Sequence, residues 1–95
     1  MRVAVELDPD VADEAPTGNT ITPYNEQHFV TYMRLLDASH DSADWSEVAR
    51  IVLHRDPVTE EARSHQCWQG HLARAQWLSK QGYRRILEQA IAAGR

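Results

Sequence analysis

The stretch from Asp44 to Tyr83 limits the chain more than any other. It reads D-W-S-E-V-A-R-I-V-L-H-R-D-P-V-T-E-E-A-R-S-H-Q-C-W-Q-G-H-L-A-R-A-Q-W-L-S-K-Q-G-Y. Asp44 followed by Glu47 has the capping-box spacing, and both acids suit the positive end of a helix dipole. Trp45, Val48, Ala49 and Val52 then recur on one helical face. Pro57 disfavours helical backbone at Asp56, so this helix must stop. Thr59 is placed to cap a longer helix, with Glu60 and Glu61 in its first turn. The outline is a helix-turn-helix with a turn, R-D-P-V-T, a residue or two longer than the usual three or four.

The remaining segments extend this to four predicted helices. Thr22 or Asn25 can cap helix one and Pro23 suits its first turn. Phe29, Tyr32, Met33 and Leu36 make its apolar face, and it ends near Ala38, before the turn formers S-H-D-S-A-D. Helix two is the one opened by Asp44 and closed by His54 and Arg55. Helix three spans about Glu60 to Gln81, with His65, Trp68, Leu72 and Ala75 inward, Ser64 and His71 at the border, and Gly82 as C-terminal cap. Gly70 lies mid-helix, where close packing is its expected role. Helix four, Y-R-R-I-L-E-Q-A-I-A-A, ends at Gly94. Ahead of them residues 1–21 are rich in acid, Pro and Gly, which predicts a mobile acidic tail. Val3, Val5 and Leu7 give it a weak strand pattern. The expected architecture is an all-α, four-helix domain over residues 22–95 behind that tail.

Charge then narrows the function. Net charge is −4 over 95 residues. Residues 1–20 sum to −4, 21–58 to −3 and 59–95 to +3. A dedicated DNA binder shows a clear basic footprint, and affinity for nucleic acid follows phosphate neutralisation. The N-terminal end of helix three, which would enter the major groove, presents Asp56, Glu60 and Glu61, an acidic face that disfavours DNA. A DNA-reading alternative has Arg63, Gln66 and Gln69 on base edges, with Arg74, Arg84 and Arg85 on phosphates. For a protein interface the candidates are Tyr24, His28, Leu35, Trp77 and Ile91, which are aromatic or lie off the predicted inner faces.

Other chemistry finds little footing. No phosphate-cradling glycine loop, G-x-S-x-G or H-E-x-x-H occurs. Cys67 and His71, with His65 nearby, have a spacing that could share a metal, but a small half-buried thiol beside surface or boundary histidines is the stronger reading. The chain is read as non-enzymatic, without cofactor or metal. With one cysteine it has no internal disulfide. The acidic opening is not expected to be a signal peptide, and no apolar run reaches the length of a membrane span. A cytoplasmic monomer is expected.

The words T-Y-M-R-L-L-D-A (Thr31–Ala38), A-D-W-S-E-V-A-R-I-V-L (Ala43–Leu53), Asp56–Pro57, H-L-A-R-A-Q-W-L (His71–Leu78) and G-Y-R-R-I-L (Gly82–Leu87) resemble a proteobacterial family of mobile-element regulators. It is a former domain of unknown function, related to the RovC-like DNA-binding domain. The opening V-A-V-E-L-D-P-D-V-A-D-E-A-P resembles the start of its stand-alone members. The resemblance implies an extended-turn helix-turn-helix. Some members are fused behind an N-terminal domain, activate conjugative transfer and carry a basic DNA face. Others, the QseM-like antiactivators of integrative and conjugative elements, are single acidic domains. The short length and acidic reading helix resemble that second group. The implied partner is a transcriptional activator of the mobile element, bound through its N-terminal domain, with a quorum-sensing regulator as a further partner and no or weak nucleic-acid binding. The alternative is a small DNA-binding regulator that uses helix three.

Overall fold

A computed structural model describes residues 4–82. Predicted helix four, with Arg84, Arg85 and Ile91, lies outside the described residues. Within them the chain is helical, with four α-helices and no strand: α1 (Pro23–Gln27), α2 (Phe29–His40), α3 (Trp45–Ile51) and α4 (Glu61–Trp77), the last running into a π-helical turn, Leu78–Gly82. This agrees with an all-α helix-turn-helix domain. Gly82 thus ends the π turn rather than capping α4.

Local chemistry sets the starts. At α1, Asn25 N donates to Thr22 Oγ1 at 3.2 Å and Thr22 N donates to Asn25 Oδ1 at 3.1 Å, a reciprocal cap, with Pro23 in the first turn. At α3, Asp44 Oδ2 accepts from Glu47 N at 3.4 Å, as its spacing predicts. Asp44 also accepts from the Ser46 hydroxyl, which holds its carboxyl below the ordinary range. Predicted helix one is two helices. The break is His28, at φ −102° and ψ 18°. Its Nδ1 lies 2.8 Å from the Tyr24 carbonyl and its Nε2 2.9 Å from that of Asp10, so the ring joins α1 to the N-terminal segment.

The linker between α3 and α4 covers residues 52–60, longer than the sequence suggested. His54 sits in it with φ +59°, a left-handed backbone uncommon for a non-glycine. Thr59 does not cap α4. Glu60 holds the cap position without a side-chain bond. Asp56 organises the turn instead, its Oδ1 accepting from Val58 N at 3.0 Å and Thr59 N at 3.2 Å. Bonds from Thr59 and these amides lower its pKa.

Two inner faces are turned from expectation. On α2, Leu35 is 1 % exposed and Met33 63 % exposed, so Leu35 takes the core place given to Met33. On α4 the buried line is Ser64, Cys67, His71, Arg74 and Ala75, continued by Leu78 of the π turn, while His65, Trp68 and Leu72 are half-buried. Trp45 packs edge-on to His65, with ring centroids 4.7 Å apart, and leans on Trp68. Gly70 has open space where a Cβ would stand, so close packing is not its role.

The mobile tail is the largest correction. From Glu6 to Thr20 the chain is an irregular strap bonded to the helices. Val11 is buried in the core with Tyr32, Leu35, Leu53 and Cys67. Glu6 N donates to the Gln27 carbonyl at 3.0 Å. The expected boundary at residue 21 therefore cuts through one packed unit. Val11 supplies apolar area amid acids, and the polar side chains of α1 and α4 satisfy the strap's backbone, as buried peptide groups require.

Candidate nucleic-acid interface

The strap determines what α4 can present. His71 Nε2 lies 2.7 Å from the Ala12 carbonyl, and its Nδ1 lies 3.1 Å from the Tyr32 hydroxyl. A carbonyl only accepts, so Nε2 carries the hydrogen and Nδ1 accepts from Tyr32. Burial pushes the His71 pKa down, in keeping with this neutral tautomer. Cys67 Sγ also reaches Ala12 O, at 3.7 Å, and burial raises its thiol pKa. Both side chains thus hold the strap. Among the described residues no group of three His, Cys, Asp or Glu side chains could hold a metal.

Arg74 is 5 % exposed. It donates to the carbonyls of Gly18 at 2.8 Å and Thr20 at 2.5 Å, and to Asn25 Oδ1 at 2.8 Å. Its guanidinium also lies 4.1 Å from the Trp77 ring centroid. It closes the C-terminal half of the strap and is withdrawn from any phosphate, which corrects its expected place on a DNA face.

Arg63, the foremost base reader of the sequence, is exposed but engaged. Its Nε lies 3.0 Å from both Asp13 oxygens, and its Nη1 3.2 Å from Glu60 Oε1. Asp13 also accepts from Arg55 Nη1 at 2.5 Å. Arg55 Nη2 donates to the Val11 carbonyl at 2.6 Å. Arg63 first, then Arg55, hold the Asp13 carboxyl below its ordinary pKa. Gln66 and Gln69 face solvent, as do Asp56, Glu60 and Glu61. Between strap residues 13–19 and the outer side of α4 lies an open cleft of about 790 Å³, bordered by Arg63, Gln66, Gly70, Ala73 and Trp77.

The protein-contact candidates scatter. Tyr24 is half-buried, stacked on His28 at 3.9 Å, and its hydroxyl accepts from Ala12 N at 2.9 Å. His28 and Leu35 are buried, so neither offers a surface. Trp77 is half-buried at the cleft.

Residues 1–88 match a family model described as a T6SS transcription factor DNA-binding domain, RovC_DNA-bd. The chain belongs to this family. No curated protein matches it. The match to the RovC-type DNA-binding domain includes the strap as well as the helix-turn-helix, as the packing does. The groups that sequence reasoning missed are Asp8, Asp10, Asp13, Arg34, His54 and Arg55, which join strap to body. Among the described residues no helix is long and apolar enough to cross a membrane.

Proposed function

We propose that this RovC-type domain regulates transcription by protein contact rather than by reading DNA. It would act as a non-enzymatic antiactivator that binds the N-terminal domain of a mobile-element transcription activator. Excision and transfer of an integrative and conjugative element would thereby be blocked, in a circuit linked to quorum sensing. The supporting observation is the state of the reading helix: Arg63 is held by Asp13 and Glu60, Arg74 is buried, and Asp56, Glu60 and Glu61 remain exposed around them. Like-charge contacts with phosphates cost several kcal/mol or so in a docked complex. The outer side of α2, where Met33 is exposed, is the face we assign to the partner.

The test is a promoter reporter driven by the co-encoded activator, with and without this chain. Repression that needs the activator's N-terminal domain and no operator for this chain supports the proposal. Repression that follows an operator sequence contradicts it.

The family match favours a second reading, a small DNA-binding regulator that uses α4. Arg63, Gln66 and Gln69 are all exposed on that helix and have side chains suited to base edges. Specific, salt-dependent retardation of one duplex would distinguish it.

A further inference from the structure

The strap's carboxylates fall on cations of the body, one after another. Asp8 Oδ1 lies 3.1 Å from Arg34 and 2.9 Å from His54. Asp10 lies 2.7 Å from His54. Asp13 lies 2.5 Å from Arg55 and 3.0 Å from Arg63. Arg34 comes from α2, His54 and Arg55 from the turn of the helix-turn-helix, and Arg63 from the first turns of α4. Three acids on five residue steps of extended chain span at most about 17 Å. The acids of one short segment thus meet cations that no single stretch of sequence contains.

We propose that Arg34 and Arg63, with His54, form a latent surface for the phosphate backbone of duplex nucleic acid, and that Asp8, Asp10 and Asp13 close it as a built-in anionic strip. The charges match those of the expected occupant: regularly spaced anions, met by guanidiniums able to bind two oxygens at once. The acids are suited to closing the surface without being needed for the fold. Their side chains are 61 %, 92 % and 46 % exposed in the order Asp8, Asp10, Asp13. Exposed pairs such as Asp8 with Arg34 and Asp13 with Arg63 contribute little to stability, whereas buried Val11, the bond of Arg55 to its carbonyl and the bonds of His28 and His71 to strap carbonyls anchor the segment. Neutralising the acids therefore opens the charge of the surface while the strap stays docked. Glu60 remains on Arg63 and limits the affinity gained.

The experiment compares full-length wild type, Asp8→Asn/Asp10→Asn/Asp13→Asn, and a control of equal charge change, Asp37→Asn/Asp41→Asn/Glu47→Gln, on a labelled 20-base-pair duplex of arbitrary sequence. Fluorescence anisotropy is read over a salt series. The strap variant is expected to bind about tenfold tighter than the control at low salt, with a log–log salt slope near about −2 for two arginines. Adding Arg63→Ala to it should lower that slope by about one. Equal binding by the strap variant and the control overturns the proposal. Should the triple variant not give the wild-type circular dichroism spectrum, Asp13→Asn alone is compared with Asp41→Asn, and equal binding there overturns it too. Either failure leaves the antiactivator reading standing. Tight binding of the duplex by the wild type would instead contradict both.

Discussion

His71 donates from Nε2 to the carbonyl of Ala12 at 2.7 Å, which makes a helix side chain the anchor of a strap near the other end of the sequence. A second histidine holds the same strap in the opposite electrostatic sense: His54 bridges the Asp8 and Asp10 carboxylates. Asp10 first, then Asp8, raise the His54 pKa, whereas burial lowers that of His71. The stability from His54 is complete below about pH 6.5, the unperturbed value, and is lost as pH rises through its raised folded value. For His71 the unfolded chain binds more protons below about pH 6.5, so stability falls as pH drops there. Ring titrations by nitrogen–proton NMR should therefore put His71 below His54. Coincident titration would contradict this assignment.

Gly70 offers a test of its surroundings. A Cβ built there meets nothing within 4 Å. In a helix interior Ala is favoured over Gly by about 1 kcal/mol. Gly70→Ala should raise stability by about that amount, read from urea unfolding midpoints. A loss would place a close neighbour at this position.

On α2 the prediction separates two apolar positions two residues apart. Leu35→Ala removes a side chain only 1 % exposed and should cost about 2–5 kcal/mol. Met33→Ala, at a residue 63 % exposed, should change stability by about 0.5 kcal/mol or less. The reverse order would restore the face read from periodicity alone.

His54 combines a left-handed backbone, φ +59°, with its contacts to the strap acids. His54→Ala loses the contacts and keeps the strain. His54→Gly loses the contacts and relieves it. The glycine variant should be the more stable of the two by about 1 kcal/mol in chemical denaturation. Equal stabilities would mean that the backbone relaxes out of this region.

Local signals carried well from sequence to fold. Thr22 with Pro23 and Asp44 with Glu47 marked the starts of α1 and α3, because capping involves only near neighbours. Pro57 marked the turn but not the helix end, since α3 already stops at Ile51. The burial of α4 was not legible. Ser64, His71 and Arg74 look like surface residues until partners are supplied, and for His71 and Arg74 those partners are carbonyls of Ala12, Gly18 and Thr20, far away in the chain. A buried polar group is tolerated when bonded, but periodicity does not show bonds to an irregular segment. Once those residues turn inward, Trp68 and Leu72 move to the margin. The acidic opening misled in the same way. Its acids suggested a solvated tail, and a lone Val11 among them gave no periodic sign that it packs. The candidate site followed suit: the acidic face Asp56, Glu60 and Glu61 was readable from spacing, whereas the pairing of Arg63 with Asp13 was not.

The most direct test of regulation by protein contact is an NMR titration of isotope-labelled full-length protein. It is run once with candidate operator DNA and once with the N-terminal domain of the co-encoded activator, at moderate salt. Shifts on the outer side of α2 with the activator, and none with DNA, are predicted. Shifts centred on Arg63, Gln66 and Gln69 with DNA, and none with the activator, would contradict the account and make this an acidic DNA-binding regulator.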